Sequence, residues 1–130
     1  MEAAILALVI GMLIAVAMAA GRLVTAEAAA DHAARAAARI ASLQRDPAAA
    51  RTAASEAAND SLMADGLVCD SVTVLVDTSE FGRPIGAPAS VRTTVRCAVR
   101  WSDLGLPAGS GTHAVTGDFL SPIDQLREQP

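Results

Sequence analysis

The feature that most constrains this chain is an uninterrupted apolar run near its N-terminal end. From Ala3 to Gly21 there are 19 consecutive residues without a charge, with Glu2 before the run and Arg22 after it. As an α-helix the run is about 28 Å long, close to the roughly 30 Å hydrocarbon core of a bilayer. Because such a helix is apolar on every side, it must face lipid or other apolar helices. The run predicts a transmembrane or assembly helix over residues 1–22.

A cleaved secretory signal is the competing interpretation of the same run. Ala17-Met18-Ala19 has the small residues of a cleavage motif. A signal peptide, however, has a basic N-terminal region and a shorter apolar core, and the charged side chain that precedes this run is acidic. We therefore favour an uncleaved helix and keep the secreted product as an alternative.

Alanine dominates the next segment, 23–66, and predicts a helical stalk. The chain contains 30 Ala among its 130 residues, and alanine is the strongest helix former. We expect one helix from about Ala3 to about Gln44. Acids and arginines that recur every four residues give it one polar stripe, formed by Glu27, Asp31, Arg35 and Arg39.

A second helix is predicted after a break near Pro47. Asp46 suits the N-cap and Pro47 the first helical position, and Gly66 can adopt the left-handed conformation that ends a helix. We expect this helix from Pro47 to about Ala64. Its apolar face would consist of Ala50, Ala53, Ala54, Ala57, Ala58 and Leu62.

The composition changes at Leu67, where a period of two replaces the helical pattern. Alternating valines mark a first strand, Val91 to Trp101 a second, and about Thr112 to Leu120 a third, separated by loops rich in Gly and Pro. Residues 67–121 therefore predict a small antiparallel β-sheet of about three strands, followed by a polar tail at 122–130. The fold class is α+β: a long N-terminal helix, a second Ala-rich helix and this sheet.

Cys69 and Cys97 are the two cysteines of the chain, and both fall in the predicted hairpin. A disulfide between them would stabilise the sheet by roughly 3–4 kcal/mol in the chain-entropy model. Direct pairing of the two residues would set Val74 against Arg92. A bulge, a diagonal pairing or a position of Cys69 just before the strand would resolve this. Two buried free thiols are the alternative, and the disulfide, which we favour, implies an oxidising, extracytoplasmic location.

Composition and spacing argue against several functions. The net charge of −4 argues against a nucleic-acid-binding protein, which normally has a basic face. The two cysteines and the distant His32 and His113 do not form a metal-ligand set, and no pairing of a base with a nucleophile is present. We therefore expect no catalytic residues, no metal and no cofactor. A candidate basic stripe on the second strand is expected to pair with nearby acids; it consists of Arg92, Arg96 and Arg100.

The start of the chain resembles that of TadE-like proteins, minor pilins (pseudopilins) of tight-adherence, type IV-like pilus systems. The matching segments are Glu2-Ala3-Ala4-Ile5-Leu6-Ala7-Leu8-Val9-Ile10, the rest of the apolar run and Ala20-Gly21-Arg22-Leu23. The alanine-rich helix, the two-cysteine sheet and Ser121-Pro122-Ile123-Asp124 are similar to actinobacterial members. The resemblance implies a bacterial pilin-like subunit that a prepilin peptidase processes, with Glu2 as the glutamate that follows the cleavage site.

The resemblance also implies partners and a location. The partners would be other pilin subunits, pilus-assembly proteins of the inner membrane, and membrane lipid. The N-terminus would lie inside, the sheet outside the cytoplasm, and the subunit would enter an extracellular pilus. Assembly would use the N-terminal helix, through Glu2, Ile5, Leu6, Val9 and Leu13. The alternatives are a single-pass anchored extracytoplasmic binding module and a cleaved secreted domain.

Overall fold

The long first helix forms as one uninterrupted element. The computed structural model describes residues 1–106 and 110–124. In it α1 spans Glu2–Ser42, 41 residues, which corresponds to about 60 Å. Leu43 and Gln44 bond to carbonyls three residues back, so the helix ends two residues earlier than predicted. The N-terminal half of α1 carries the apolar run and the C-terminal half the alanines.

Helix α2 confirms the predicted bounds, Pro47–Ala64. The side chain of Asp46 accepts a hydrogen bond from the backbone N of Ala49 at 2.9 Å, which satisfies one of the free donors at the helix start. Gly66 ends the helix with a φ of +72°, a conformation in which a side chain would be strained. Ala50, Ala54 and Leu62 are buried, together with Ala58.

Three antiparallel strands form the predicted sheet, in the order β1-β2-β3. They are β1 Ser71–Asp77, β2 Ser90–Arg100 and β3 Thr112–Pro122. The central strand alternates buried and more exposed residues along its length, as the period of two predicts. Its buried residues are Val91, Thr93, Val95, Cys97 and Val99. The observed elements establish the α+β fold class.

The alanine-rich half of α1 packs against this sheet and is not a free stalk. Ala33, Ala37 and the α2 alanines share one core cluster with Val91 and Val95. Ala26 and Ala30 share a second cluster with Cys97, Val99, Leu104 and Val115. The segments predicted as 23–66 and 67–121 thus form one core. The predicted stalk is thus part of the folded unit, because the sheet of the same chain covers its alanines.

A glycine in β3 allows the helix to approach the sheet closely. A Cβ atom built on Gly117 would lie 2.6 Å from the backbone N of Asp31 and would overlap the carbonyl of Ala30. Opposite Gly117 in the register stands Val95 of the central strand. The helix backbone therefore rests directly on the middle of the sheet, which only glycine at this position permits.

The ends of the predicted segments differ slightly from the structure. Strand β3 continues to Pro122, and Ile123 packs against the core while its backbone N bonds to the carbonyl of Ala89 at 2.9 Å. The start of the predicted tail therefore belongs to the folded unit. Residues 125–130 of that tail, and 107–109 of the loop before β3, lie outside the described residues.

Replacement of Gly117 by alanine tests the close packing. We expect Gly117→Ala to lower the free energy of unfolding by about 1–3 kcal/mol or more, as overpacking in cores does. Gly82→Ala is the matched control, since a Cβ there meets no atom within 4 Å. Urea unfolding of the full chain in detergent measures both. Equal stability of the two variants would contradict the packing described here.

Candidate functional site

The N-terminal half of α1 leaves its large side chains uncovered. Ile5, Leu6, Val9 and Leu13 are 50–66% exposed, and Glu2 is exposed in the first turn. In the described part of the chain, α1 is the one helix long and apolar enough to cross a membrane, and its most apolar 18 residues are 0% buried. A membrane anchor and a signal sequence both fit this finding. Soluble monomers rarely expose so long a continuous apolar surface to water.

A narrow line of small residues runs along one side of this apolar half. They recur every four positions and are Ala3, Ala7, Gly11, Ala15 and Ala19. Residues four apart lie on the same face of a helix, and small residues at this spacing let membrane helices approach closely. Because the helix is apolar on every side, no contrast in polarity marks this stripe in the sequence, and the spacing of four is the signal that reveals it.

Cys69 and Cys97 form a disulfide, with their Cα atoms 5.4 Å apart. The register places Val72 opposite Cys97, so Cys69 lies just before β1, which is one of the three arrangements that the sequence left open. Cys97 is buried in the central strand, and Cys69 packs against both core clusters. The disulfide therefore fastens the segment after α2 to the middle of the sheet.

Removal of this disulfide should destabilise the folded unit strongly. We expect a Cys69→Ala/Cys97→Ala double variant to lose roughly 3–4 kcal/mol of unfolding free energy, because the open chain gains conformational freedom. Denaturant unfolding with and without a thiol reductant measures the loss. The wild type should fall to the level of the double variant on reduction, and the double variant should not respond. A wild type that is insensitive to reduction would contradict this role.

The predicted basic stripe lies on the outer, solvent-facing side of β2. Arg92 contacts Asp118 at 2.7 Å and Arg100 contacts Asp70 at 2.7 Å. The hydrogen bond from Arg100 to Asp70 raises the pKa of the arginine. Within the described ranges Arg96 has no ion pair. Two of the three arginines are thus paired with acids, so the stripe offers an anionic partner little free positive charge.

The loop between β1 and β2 is held by one carboxylate. Glu80 accepts hydrogen bonds from the backbone N of Ser90 at 2.6 Å and from its hydroxyl at 2.9 Å, and it pairs with Arg83 at 2.8 Å. These hydrogen bonds lower the pKa of Glu80 below its ordinary 4.5. Their stabilising contribution is therefore present above that value and is lost as the pH falls through the lowered pKa.

Both histidines have structural neighbours. His32 on α1 lies 3.2 Å from the carboxylate of Asp65 at the end of α2, and the ring of His113 lies 5.1 Å from that of Trp101. Over residues 1–106 and 110–124, no group of three or more His, Cys, Asp or Glu could hold a metal ion. Within these ranges the neighbours of the two rings are thus a carboxylate and an indole.

A groove opens where α1 emerges from its apolar half. Its volume is 470 Å³, and its walls are α1 from Arg22 to Ala29, the turn from Asp65 to Val68, and the end of β2 with the turn that follows. Arg22 donates a long hydrogen bond of 3.5 Å to the carbonyl of Asp103 in that turn. Three segments distant in sequence thus meet beside the first charge after the apolar run.

Comparison of the chain with protein-family models, curated proteins and solved structures finds no match. The resemblance to TadE-like pilins stays a prediction from the sequence.

Proposed function

We propose that this protein is a non-catalytic, pilin-like subunit of a bacterial tight-adherence, type IV-like pilus, anchored in the membrane and assembled through its N-terminal helix. The observation that carries the proposal is the single helix α1. Its N-terminal half is an exposed apolar helix, and its C-terminal half packs against the sheet as part of the folded unit. The resemblance of the N-terminal segment to TadE-like proteins supports the same function.

The exposed apolar half suits helix-to-helix assembly. A face of small residues, with Gly11 at its centre, allows a neighbouring helix to pack closely. The opposite side carries large side chains such as Val9 and Val16, which can face lipid or other helices. Because α1 is continuous, the contact between apolar halves would fix the position of each folded unit relative to its neighbours.

Glu2 would set the axial register between subunits. A carboxylate that enters an apolar helix bundle needs a positively charged partner, since an unpaired charge there is expensive. The N-terminal amine of a neighbouring subunit would be such a partner. Other pilin subunits, assembly proteins of the inner membrane and a prepilin peptidase are the partners that the resemblance implies.

The disulfide supports an extracytoplasmic position for the sheet. Disulfides persist in oxidising compartments and are rare in the cytosol, and the Cys69–Cys97 bond lies within the folded unit at the far end of α1 from Glu2. We therefore propose a bacterial cell-membrane protein with a single span, whose folded unit faces outward before it enters an extracellular pilus.

Substitution of Glu2 tests assembly separately from membrane insertion. We expect Glu2→Ala to reduce incorporation into pili in a pilus-forming host while the protein still fractionates with the membrane. Glu27→Ala is the control, because Glu27 is an exposed acid on the same helix beyond the apolar run. A second pair compares Gly11→Ile, which fills the small-residue face, with Val16→Ile on another face. Unchanged incorporation of the Glu2→Ala and Gly11→Ile variants into pili would contradict the proposal.

A secreted domain is the second candidate, and one observation favours it. The buried alanines begin at Ala26, so cleavage after Ala19 would leave the shared core intact. Sequencing of the N-terminus of the extracytoplasmic product separates the two functions. A product that starts near Gly21 would support secretion, whereas one that retains the apolar run supports an anchored subunit.

A further inference from the structure

The groove beside Arg22 lies at the depth of the lipid headgroups if the apolar half of α1 spans a membrane. Its helical wall extends from Arg22 to Ala29, which is about 10 Å along the helix axis. The headgroup layer occupies roughly 5–8 Å on each side of the hydrocarbon core. The groove therefore begins where the apolar run ends and covers the thickness of that layer.

The lining of the groove combines an apolar floor with a rim of both charges. Ala26, Leu67, Val99 and Leu104 contribute apolar surface to the lining. Two arginines and two aspartates also line it: Arg22, Arg100, Asp65 and Asp103. A purely anionic ligand would be repelled by the acids, and a purely cationic one by the arginines. The pattern matches a ligand with a phosphate, an ammonium group and an apolar part.

Arg22 is the group best placed to bind a phosphate. Arg100 is already engaged by Asp70 at 2.7 Å. Arg22 is exposed, and within residues 1–106 and 110–124 it forms no salt bridge. Its bond to the carbonyl of Asp103 is long, at 3.5 Å. A guanidinium binds a phosphate through two parallel hydrogen bonds, which a distant carbonyl does not replace.

From this arrangement we propose that the groove binds the headgroup of one phosphatidylethanolamine molecule of the surrounding leaflet. Arg22 binds the phosphate, and Asp103 accepts hydrogen bonds from the primary ammonium. The glycerol and the start of the acyl chains lie on the apolar floor and continue along the exposed apolar half of α1. The inference rests on the membrane anchoring of the proposed function and adds a specific lipid that would fix the folded unit against the bilayer.

Lipid retention by the purified full chain tests this site. The protein is reconstituted in vesicles of phosphatidylethanolamine, phosphatidylglycerol or phosphatidylcholine, checked by flotation, extracted in mild detergent and examined by native mass spectrometry. We expect one retained phosphatidylethanolamine per chain and about tenfold less retention in Arg22→Gln, because a charge-assisted hydrogen bond is lost. Arg96→Gln is the control, since Arg96 is an exposed arginine outside the groove.

The comparisons of lipids and of variants each support or overturn the proposed lipid site. Phosphatidylcholine has no N–H donor for Asp103, so it should be retained less than phosphatidylethanolamine, and Asp103→Asn should reduce that difference. Equal retention of all three lipids, or equal retention by the Arg22→Gln and Arg96→Gln variants, would overturn the site. Displacement of the retained lipid by inorganic phosphate would also overturn the site, because the groove would then recognise a free anion and not a lipid headgroup. Failure of the protein to float with vesicles would contradict both the lipid site and membrane anchoring. Loss of pilus incorporation without loss of lipid retention would contradict the proposed pilus function and not the lipid site.

Discussion

The direct contact between the backbone of α1 at Ala30 and Gly117 of β3 determines how the rest of the molecule is arranged. It brings a helix surface made of alanine against a thin sheet, so that short side chains reach across the interface. A larger residue at position 117 would push the sheet away from a helix whose buried residues are alanines and Ser42, which are too short to fill the gap. The alanines of α1 and this glycine of β3 therefore act together to let the helix and the sheet approach closely.

This packing explains how a chain with 2% aromatic residues forms a core. Alanine and valine bury little area per residue, so close approach of backbones replaces large side chains as the source of contact. The disulfide adds a constraint that does not depend on buried area. Because α1 is one uninterrupted helix, the folded unit and the apolar half are joined without a break in the helix. A rigid connection of this kind suits an assembly subunit more than a tethered module.

The sequence predicted the elements well and their contacts poorly. The bounds of α2 followed from Asp46, Pro47 and Gly66, each of which has a conformational preference of its own. The alternation in β1 and β2 showed which side chains share a face, but a period of two does not set the register, so the position of Cys69 stayed open. The contact face of α1 was missed because alanines surround most of the helix and no contrast in polarity marks one side.

The candidate site, too, has features that the sequence predicts and features that it does not. The apolar run and Glu2 are local features that the sequence displays, whereas the groove at Arg22 depends on turns that follow α2 and β2, far away in the chain. Gly117 did carry a signal, since an isolated glycine in a strand often marks a close backbone approach. What the sequence lacks is the identity of the approaching backbone, which only the arrangement of helix and sheet provides.

Hydrogen exchange of the full chain in lipid vesicles tests most directly whether helix and sheet form one unit. Amide protection is measured over residues 26–41 of α1 and over Ser90–Arg100 of β2 as denaturant is added. A shared core predicts that both segments open together with the same free energy. Exchange of residues 26–41 at the rate of an isolated helix, while β2 stays protected, would contradict the account.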